Sequence, residues 1–334
     1  MNALHTLALS GTWLLLIGGC AAANPSECNK TSAEGAVRSR IVAAALAEHV
    51  TFNGHRIDAS GHLWKFGPTE TENEPLLDPT TGKPDAHDEQ LVAWRRVWEY
   101  WLVLDQHVAG IALSRKVNAI PGMHLAGEEN AAAGEKTLRE LFSVLRQQPS
   151  DVNESLRQAA VRAALSDSPW SAAFISYVMH QAGLDDGQFR YAAAHWQYVK
   201  QAFSTDARHV YRACDPRLTP PRQGDLLCYS RGMLAPDNFE GWLNAVNLPG
   251  FSAASHCEVV VIVDRAASKI ETVGGNVLQS VAMRRLKLNR KGVLSSIHYA
   301  GERERPLPST CSQAKRCHQP DLNGHRWSVL LQLR

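Results

Sequence analysis

The sequence predicts an α+β fold, and three stretches carry that expectation. Asp85 to Lys116 places Leu91, Trp94, Trp98, Trp101, Leu102 and Val108 on one helical stripe, behind an acidic first turn of Asp85, Asp88 and Glu89. Asp167 to Gly183 repeats apolar residues at helical spacing through Trp170, Ala173, Phe174, Tyr177 and Val178. Ser255 to Val263 contains five consecutive β-branched residues from Val259 and reads as a buried strand.

At the start of the chain, residues 1–20 read as a secretory leader, because the apolar run from Leu7 to Gly19 is too short to span a bilayer. Ile17-Gly18-Gly19-Cys20 resembles a lipobox, which implies lipidation of Cys20; the plainer reading is a cleaved secretion signal. Ala21 follows in place of the aspartate linked to inner-membrane retention, so the resemblance implies a periplasmic protein anchored to the outer membrane. The 334 residues carry a net charge of +2, which gives no reason to expect nucleic acid as a partner, and 44% are hydrophobic, enough for a packed core. Six cysteines remain beyond Cys20, an even count that suggests disulfides in an exported chain. Cys311 and Cys317 can close a small loop, Cys228 and Cys257 flank apolar strand-like runs, and Cys28 and Cys214 are then left; many other pairings fit the same count.

Residues 21–150 form an N-terminal extension, loop-rich and then helical, and residues 151–334 a second unit. Ser32 to Val50 contains an alanine-rich helical run, and Thr51 to Pro84 reads as loop with short strands. The three tryptophans of the Asp85–Lys116 stripe read as core rather than as a glycan-stacking surface. Glu135 to Gln147 and Val152 to Leu165 are further amphipathic helices, and Phe189 to Phe203 another, carrying His195. His195 suits either a cleft wall or a half-buried position beside aromatics.

In the second unit Ser168 is a natural N-cap, Pro169 fits the first helical position, and Gly183 suits a left-handed stop. Ser171 then lies in the first turn, where unpaired amides and the positive dipole end collect. Gly224-Asp225 leads into an apolar run; His256 stands at the entrance of the buried strand, suited to base chemistry near neutral pH. Ile270 to Val277 holds Gly274-Gly275-Asn276, readable as a hairpin turn or as the seat of a polar residue that orients a histidine. Arg284, Arg285, Lys287, Arg290 and Lys291 form a basic run that faces either acidic ligands or solvent along a strand edge. Trp327 to Leu333 reads as a last strand.

Trp170-Ser171-Ala172-Ala173-Phe174 resembles the Trp-Cys-Ala-Ala-Phe element of bacterial CHAP-like and NlpC-like amidases, relatives of papain, with serine where they carry the nucleophilic cysteine. Gly224-Asp225-Leu226, Ser255-His256 and Gly274-Gly275-Asn276 follow in the order of that family's strand elements. The fuller set is similar to the bacterial domain-of-unknown-function family numbered 2272. The resemblance implies a papain-like core, a helix packed on a small antiparallel sheet or half-barrel. It implies Ser171 as nucleophile, His256 as base and Asn276 as orienting residue, with Trp170, His195 and Glu271 as candidate substrate contacts. The expected function is a lipid-anchored periplasmic hydrolase of a cell-wall peptide amide or an ester, with peptidoglycan as partner and no cofactor. The alternative is an inactive envelope lipoprotein that binds peptidoglycan or a protein through the retained cleft. No metal-ligand, phosphate-loop or dinucleotide signature occurs in the sequence.

Overall fold

A computed structural model describes residues 28, 35–72, 81, 92–109, 168–232, 235–299 and 321–334, with positions 151, 152, 155, 158, 159, 162, 163 and 165 between them. Five helices and eight strands are described. The helices are α1 (Gly35–Thr51), α2 (Ala93–His107), α3 (Ser171–Gln181), α4 (His195–Ala202) and α5 (Phe239–Ala245). The strands are β1 (His55–Ile57), β2 (Leu63–Lys65), β3 (Tyr211–Cys214), β4 (Leu226–Ser230), β5 (Ser255–Asp264), β6 (Lys269–Val277), β7 (Ser280–Lys287) and β8 (Trp327–Leu333).

The strands form one open sheet in the order β2-β1-β7-β6-β5-β4-β8-β3. Every neighbouring pair is antiparallel except β1 with β7. The sheet is larger than the small one expected, because β1 and β2, from the N-terminal segment, extend it beyond β7. Alternate residues point to opposite faces. Leu226, Cys228, Cys257, Val259 and Val261 join the main core with the helices, while Leu227, Tyr229, Val260 and Leu330 build a second, smaller cluster with Leu286 and Leu294. Burial on both faces explains the β-branched run over Val259–Val261, while Ile262 is exposed and Val263 half-buried where the strand leaves the core.

α3 is sandwiched between the sheet and the other helices, and its residues Ser171 to Met179 are all buried. Its apolar composition all round suits that position. It ends in a Schellman motif: Gly183, at φ 77°, donates to the His180 carbonyl at 2.8 Å, and Leu184 donates to the Met179 carbonyl at 3.2 Å. Its start differs from expectation. Trp170, not Ser168, is the N-cap, and Ser168 instead donates its amide to the Leu165 carbonyl at 3.1 Å. Ser171 is therefore the first helical residue.

On α2, Trp94 and Trp101 are buried in the core as expected, with Val97, Tyr100 and Leu104, but Leu102 is 40% exposed and faces away. The expected helix over 189–203 shortens to His195–Ala202, because upstream backbone groups find other partners: the Ala192 amide donates to the Ser176 hydroxyl at 3.3 Å, and the Arg190 amide to Gln201 at 2.7 Å. The basic run does not lie along a sheet edge. β7 sits between β1 and β6, and Arg284 is 1% exposed. Disulfides join Cys28 to Cys214 and Cys228 to Cys257, the latter pair directly opposite on β4 and β5. Cys311 and Cys317, the leader with Cys20, and the helix expected over Glu135 to Gln147 lie outside the described residues.

Candidate active site

The Ser171 hydroxyl lies 2.6 Å from His195 Nε2. Ser171 opens α3, and His195 opens α4. Tyr198, one helical turn further along α4, places its hydroxyl on His195 Nδ1. The imidazole is thus held at both nitrogens, and the tautomer sets its capacity. With the proton on Nδ1, directed at the Tyr198 oxygen, Nε2 accepts from the Ser171 hydroxyl and is competent as a base. With the proton on Nε2, the ring donates to Ser171 instead.

The first amides of α3 have no acceptor inside the helix, and its dipole is positive at this end. An oxyanion formed at Ser171 would meet both.

His256, at the start of β5, packs its ring against His195 with centroids 5.2 Å apart and against Tyr229 at 5.4 Å. Its Nε2 is 3.4 Å from Glu258 Oε1 and not aligned for a hydrogen bond. Glu258 lies two residues along β5, so the two side chains share a face. The Glu258 carboxylate accepts from Thr272 Oγ1 at 2.5 Å and from Arg284 Nε at 3.0 and 3.2 Å. Burial by itself would raise its pKa, but the Arg284 guanidinium, His256 and Thr272 outweigh that and hold it near 2. Burial moves both imidazoles the other way. His195 is pushed well below its ordinary value by burial, with His256 and Arg231 adding to the effect. His256 is lowered by burial, against the opposing Glu258 charge. Both rings are neutral at pH 7, as a base requires.

Two glycines let these parts meet. A Cβ on Gly274 would stand 2.6 Å from Glu258 Cγ and 3.0 Å from His256 Nε2; one on Gly275 would stand 2.5 Å from Phe174 Cβ. Only bare backbone passes between the start of α3 and the His256–Glu258 pair. The Gly-Gly element therefore lies within β6, and Asn276 occupies the irregular end of that strand at φ 54°. No hydrogen bond joins Asn276 to His256 among the described residues. Trp170 is fully buried, gives its indole N–H to Glu70 and stacks on Phe52. Glu271 is paired with Arg285 at 2.8 Å on the opposite half of β6.

The structure thus brings Ser171, His195 and His256 together and places Trp170 in the core. Sequence reading overlooked Tyr198 and Glu258. Glu258 had a signal: it is a lone carboxylate against a run of β-branched residues. Among the described residues no three His, Cys, Asp or Glu side chains gather as metal ligands, and no helix is long and apolar enough to cross a membrane.

A family model described as an uncharacterized protein conserved in bacteria, DUF2272, matches residues 88–333. The chain belongs to the DUF2272 family. No curated protein and no solved structure matches it. The match covers Ser171, His195, His256, Glu258 and Asn276, so the whole site lies inside the DUF2272 segment.

Proposed function

We propose that this DUF2272 protein is a serine-dependent hydrolase of a cell-wall peptide amide or an ester, held in the periplasm by a lipid on Cys20. The observation that carries the reading is the 2.6 Å contact between Ser171 Oγ and His195 Nε2 at the first residue of a buried helix. A serine needs a base and an oxyanion site, and both stand at that position. Ser171 attacks the carbonyl carbon. His195 takes the hydroxyl proton at Nε2 and returns it to the leaving amine or alkoxide. The α3 amides carry the oxyanion, and Tyr198 fixes the His195 ring. The His256–Glu258 pair lies behind His195, where the Glu258 charge acts on the His256 ring that packs against it. Water then releases the acyl group from Ser171 with the same proton transfers in reverse. Arg231 reaches the Ser255 carbonyl at 3.5 Å, beside His256, and offers a cation for a substrate carboxylate. A papain-like ancestry agrees with the order of the Ser, His and Gly-Gly-Asn elements.

One feature favours a second reading. Ser171, His195 and His256 are only 5%, 3% and 2% exposed. A non-catalytic envelope lipoprotein that binds peptidoglycan or a partner protein needs no access to them. Digestion of purified sacculi and of activated esters by wild type, Ser171→Ala and Ser171→Cys separates the two. Product release that disappears in Ser171→Ala is expected. Silence from all three, with sacculi still retained by the protein, would sink the hydrolase.

A further inference from the structure

At the far end of the sheet from Ser171, three loops line an open cavity of about 540 Å³. Arg217, Leu218, Pro220 and Arg222 come from the connection between β3 and β4. Arg265 comes from the turn between β5 and β6, and Lys291 from the loop after β7. Four of these side chains are cations, and no carboxylate lines the cavity among the described residues. At about 3.3 Å per strand residue, the length of β5 puts Arg265 roughly 30 Å from His256. The cavity is separate from the candidate active site.

The Arg217 guanidinium and the backbone of the other loops are held in place. Asp215 grips Arg217 with both carboxylate oxygens, at 3.0 Å to Nε and 2.6 Å to Nη2, and leaves that side chain partly exposed. The Arg222 amide is tied to Asp225 at 2.8 Å. Gly292, at φ 75°, lets the Arg265 guanidinium lie against the Lys291 loop: a Cβ there would stand 2.5 Å from Arg265 Nη1. The Lys291 amide donates to Asn289 Oδ1 at 2.9 Å, which shapes the same loop. Asp215 already balances the Arg217 charge, and Arg265 and Lys291, exposed on two further loops, add positive potential beside the cavity.

We infer that this cavity binds a phosphoryl-bearing ligand. Guanidinium forks match phosphate oxygens, and several cations converging from different loops suit a multidentate anion better than a lone carboxylate. The volume exceeds that of one phosphate and falls within the range of small-molecule sites. Leu218, 73% exposed at the rim, offers an apolar contact to the rest of the ligand. The phosphoryl group belongs either to a soluble phosphate ester or to a lipid headgroup.

The test uses the full chain with Cys20→Ser, so that no attached lipid drives membrane binding. Glycerol 3-phosphate and inorganic phosphate are titrated calorimetrically. Vesicles of phosphatidylglycerol and of phosphatidylcholine are tested by co-sedimentation. Each is repeated with Arg222→Gln/Arg265→Gln/Lys291→Gln, and with Arg265→Gln and Lys291→Gln singly in case the triple variant does not fold. Saturable binding of either soluble phosphate, weakened at least tenfold by the triple change or several-fold by each single change, supports a soluble ester. Binding to phosphatidylglycerol but not phosphatidylcholine vesicles, with the same losses, supports a headgroup. No binding of any probe, or binding that the variants leave unchanged, overturns the assignment.

Discussion

Two of the buried carboxylates among the described residues, Glu48 and Glu258, are each held by an arginine and a hydroxyl, yet their surroundings differ. Glu48 on α1 accepts from Arg96 Nη2 at 2.5 Å and from the Tyr100 hydroxyl at 2.6 Å, while Arg96 also donates to Tyr177 at 2.9 Å. These contacts tie α1, α2 and α3 together. Glu258 on β5 is held by Arg284 and Thr272 in the same manner but also faces His256, and through that ring His195 and Ser171. The first centre ends in aromatic hydroxyls that burial keeps protonated, Tyr100 above all. The second ends in neutral imidazoles that can accept a proton. The same ion-pair chemistry therefore serves as a clamp in the helical layer and as the back wall of the proposed active site in the sheet.

The largest expected effect separates chemistry from scaffolding. Ser171→Ala should lower hydrolysis by about 1,000-fold or more, about 4 kcal/mol of transition-state stabilisation, with little change in melting temperature. Glu48→Gln should leave the turnover of the folded fraction near wild type. Equal losses in both variants would break the contrast.

Stability should treat the two carboxylates alike. Glu258→Gln leaves the buried Arg284, and Glu48→Gln the half-buried Arg96, without a counter-ion, for a loss of up to about 3–5 kcal/mol in urea unfolding. Only Glu258→Gln should also lower kcat, because only Glu258 acts on a proton acceptor. If kcat per folded molecule is unchanged in Glu258→Gln, its proposed action on the His256 ring is wrong.

Acid should then find the histidines. His49, buried beside Glu48 on α1, donates from Nε2 to the His55 carbonyl at 3.1 Å, and burial brings its pKa down to about 4. Its unfolded value is higher, so the unfolded chain takes up the proton first as pH falls. The stability it supports is complete above the ordinary value of 6.5 and is lost as pH falls toward 4, on the order of 3 kcal/mol. His195 and His256 are depressed too and add to the slope in the same direction. Glu258 is held near 2, so its contribution is complete above the ordinary carboxylate value of 4.5 and is lost as pH falls from there toward 2. Unfolding free energies measured between pH 7 and 4 should fall steadily in wild type and less steeply in His49→Gln. An unchanged slope in that variant would rule out the His49 share.

Tyr198→Phe should have the smallest effect. Loss of one hydrogen bond to His195 Nδ1 should lower kcat several-fold, about 1 kcal/mol, with KM unchanged. A change in KM alone would mean that Tyr198 contacts substrate rather than positions the base.

Much of this molecule was legible before any coordinates. The helix around Ser171, the buried strand after His256 and the short strands within 51–84 follow from periodicity and turn residues. Gly183 is left-handed as its place beyond a helix demands. The cysteines beside apolar runs, Cys228 and Cys257, are bonded across neighbouring strands. Other features were not legible for physical reasons. Ser168-Pro169 has the composition of a helix start, yet tertiary packing of Trp170 against Phe52 and Tyr100 moves the start two residues on. Basic residues along β7 look solvated in a one-dimensional pattern, but Arg284 turns inward because Glu258 waits across the sheet.

The sequence by itself determined which segments are helix or strand, where serine and histidines stand relative to their ends, and which cysteines border strands. Those are local consequences of side-chain period, backbone freedom and capping chemistry. Tertiary structure alone decided that Ser171 meets His195 across two helix starts, that His256 packs against His195, and that four cations from three loops line one cavity. Such contacts join residues up to about 75 positions apart along the chain, as Arg217 and Lys291 are. Their partners are chosen by sheet order and by the glycines that let backbones approach, and sequence spacing does not encode either.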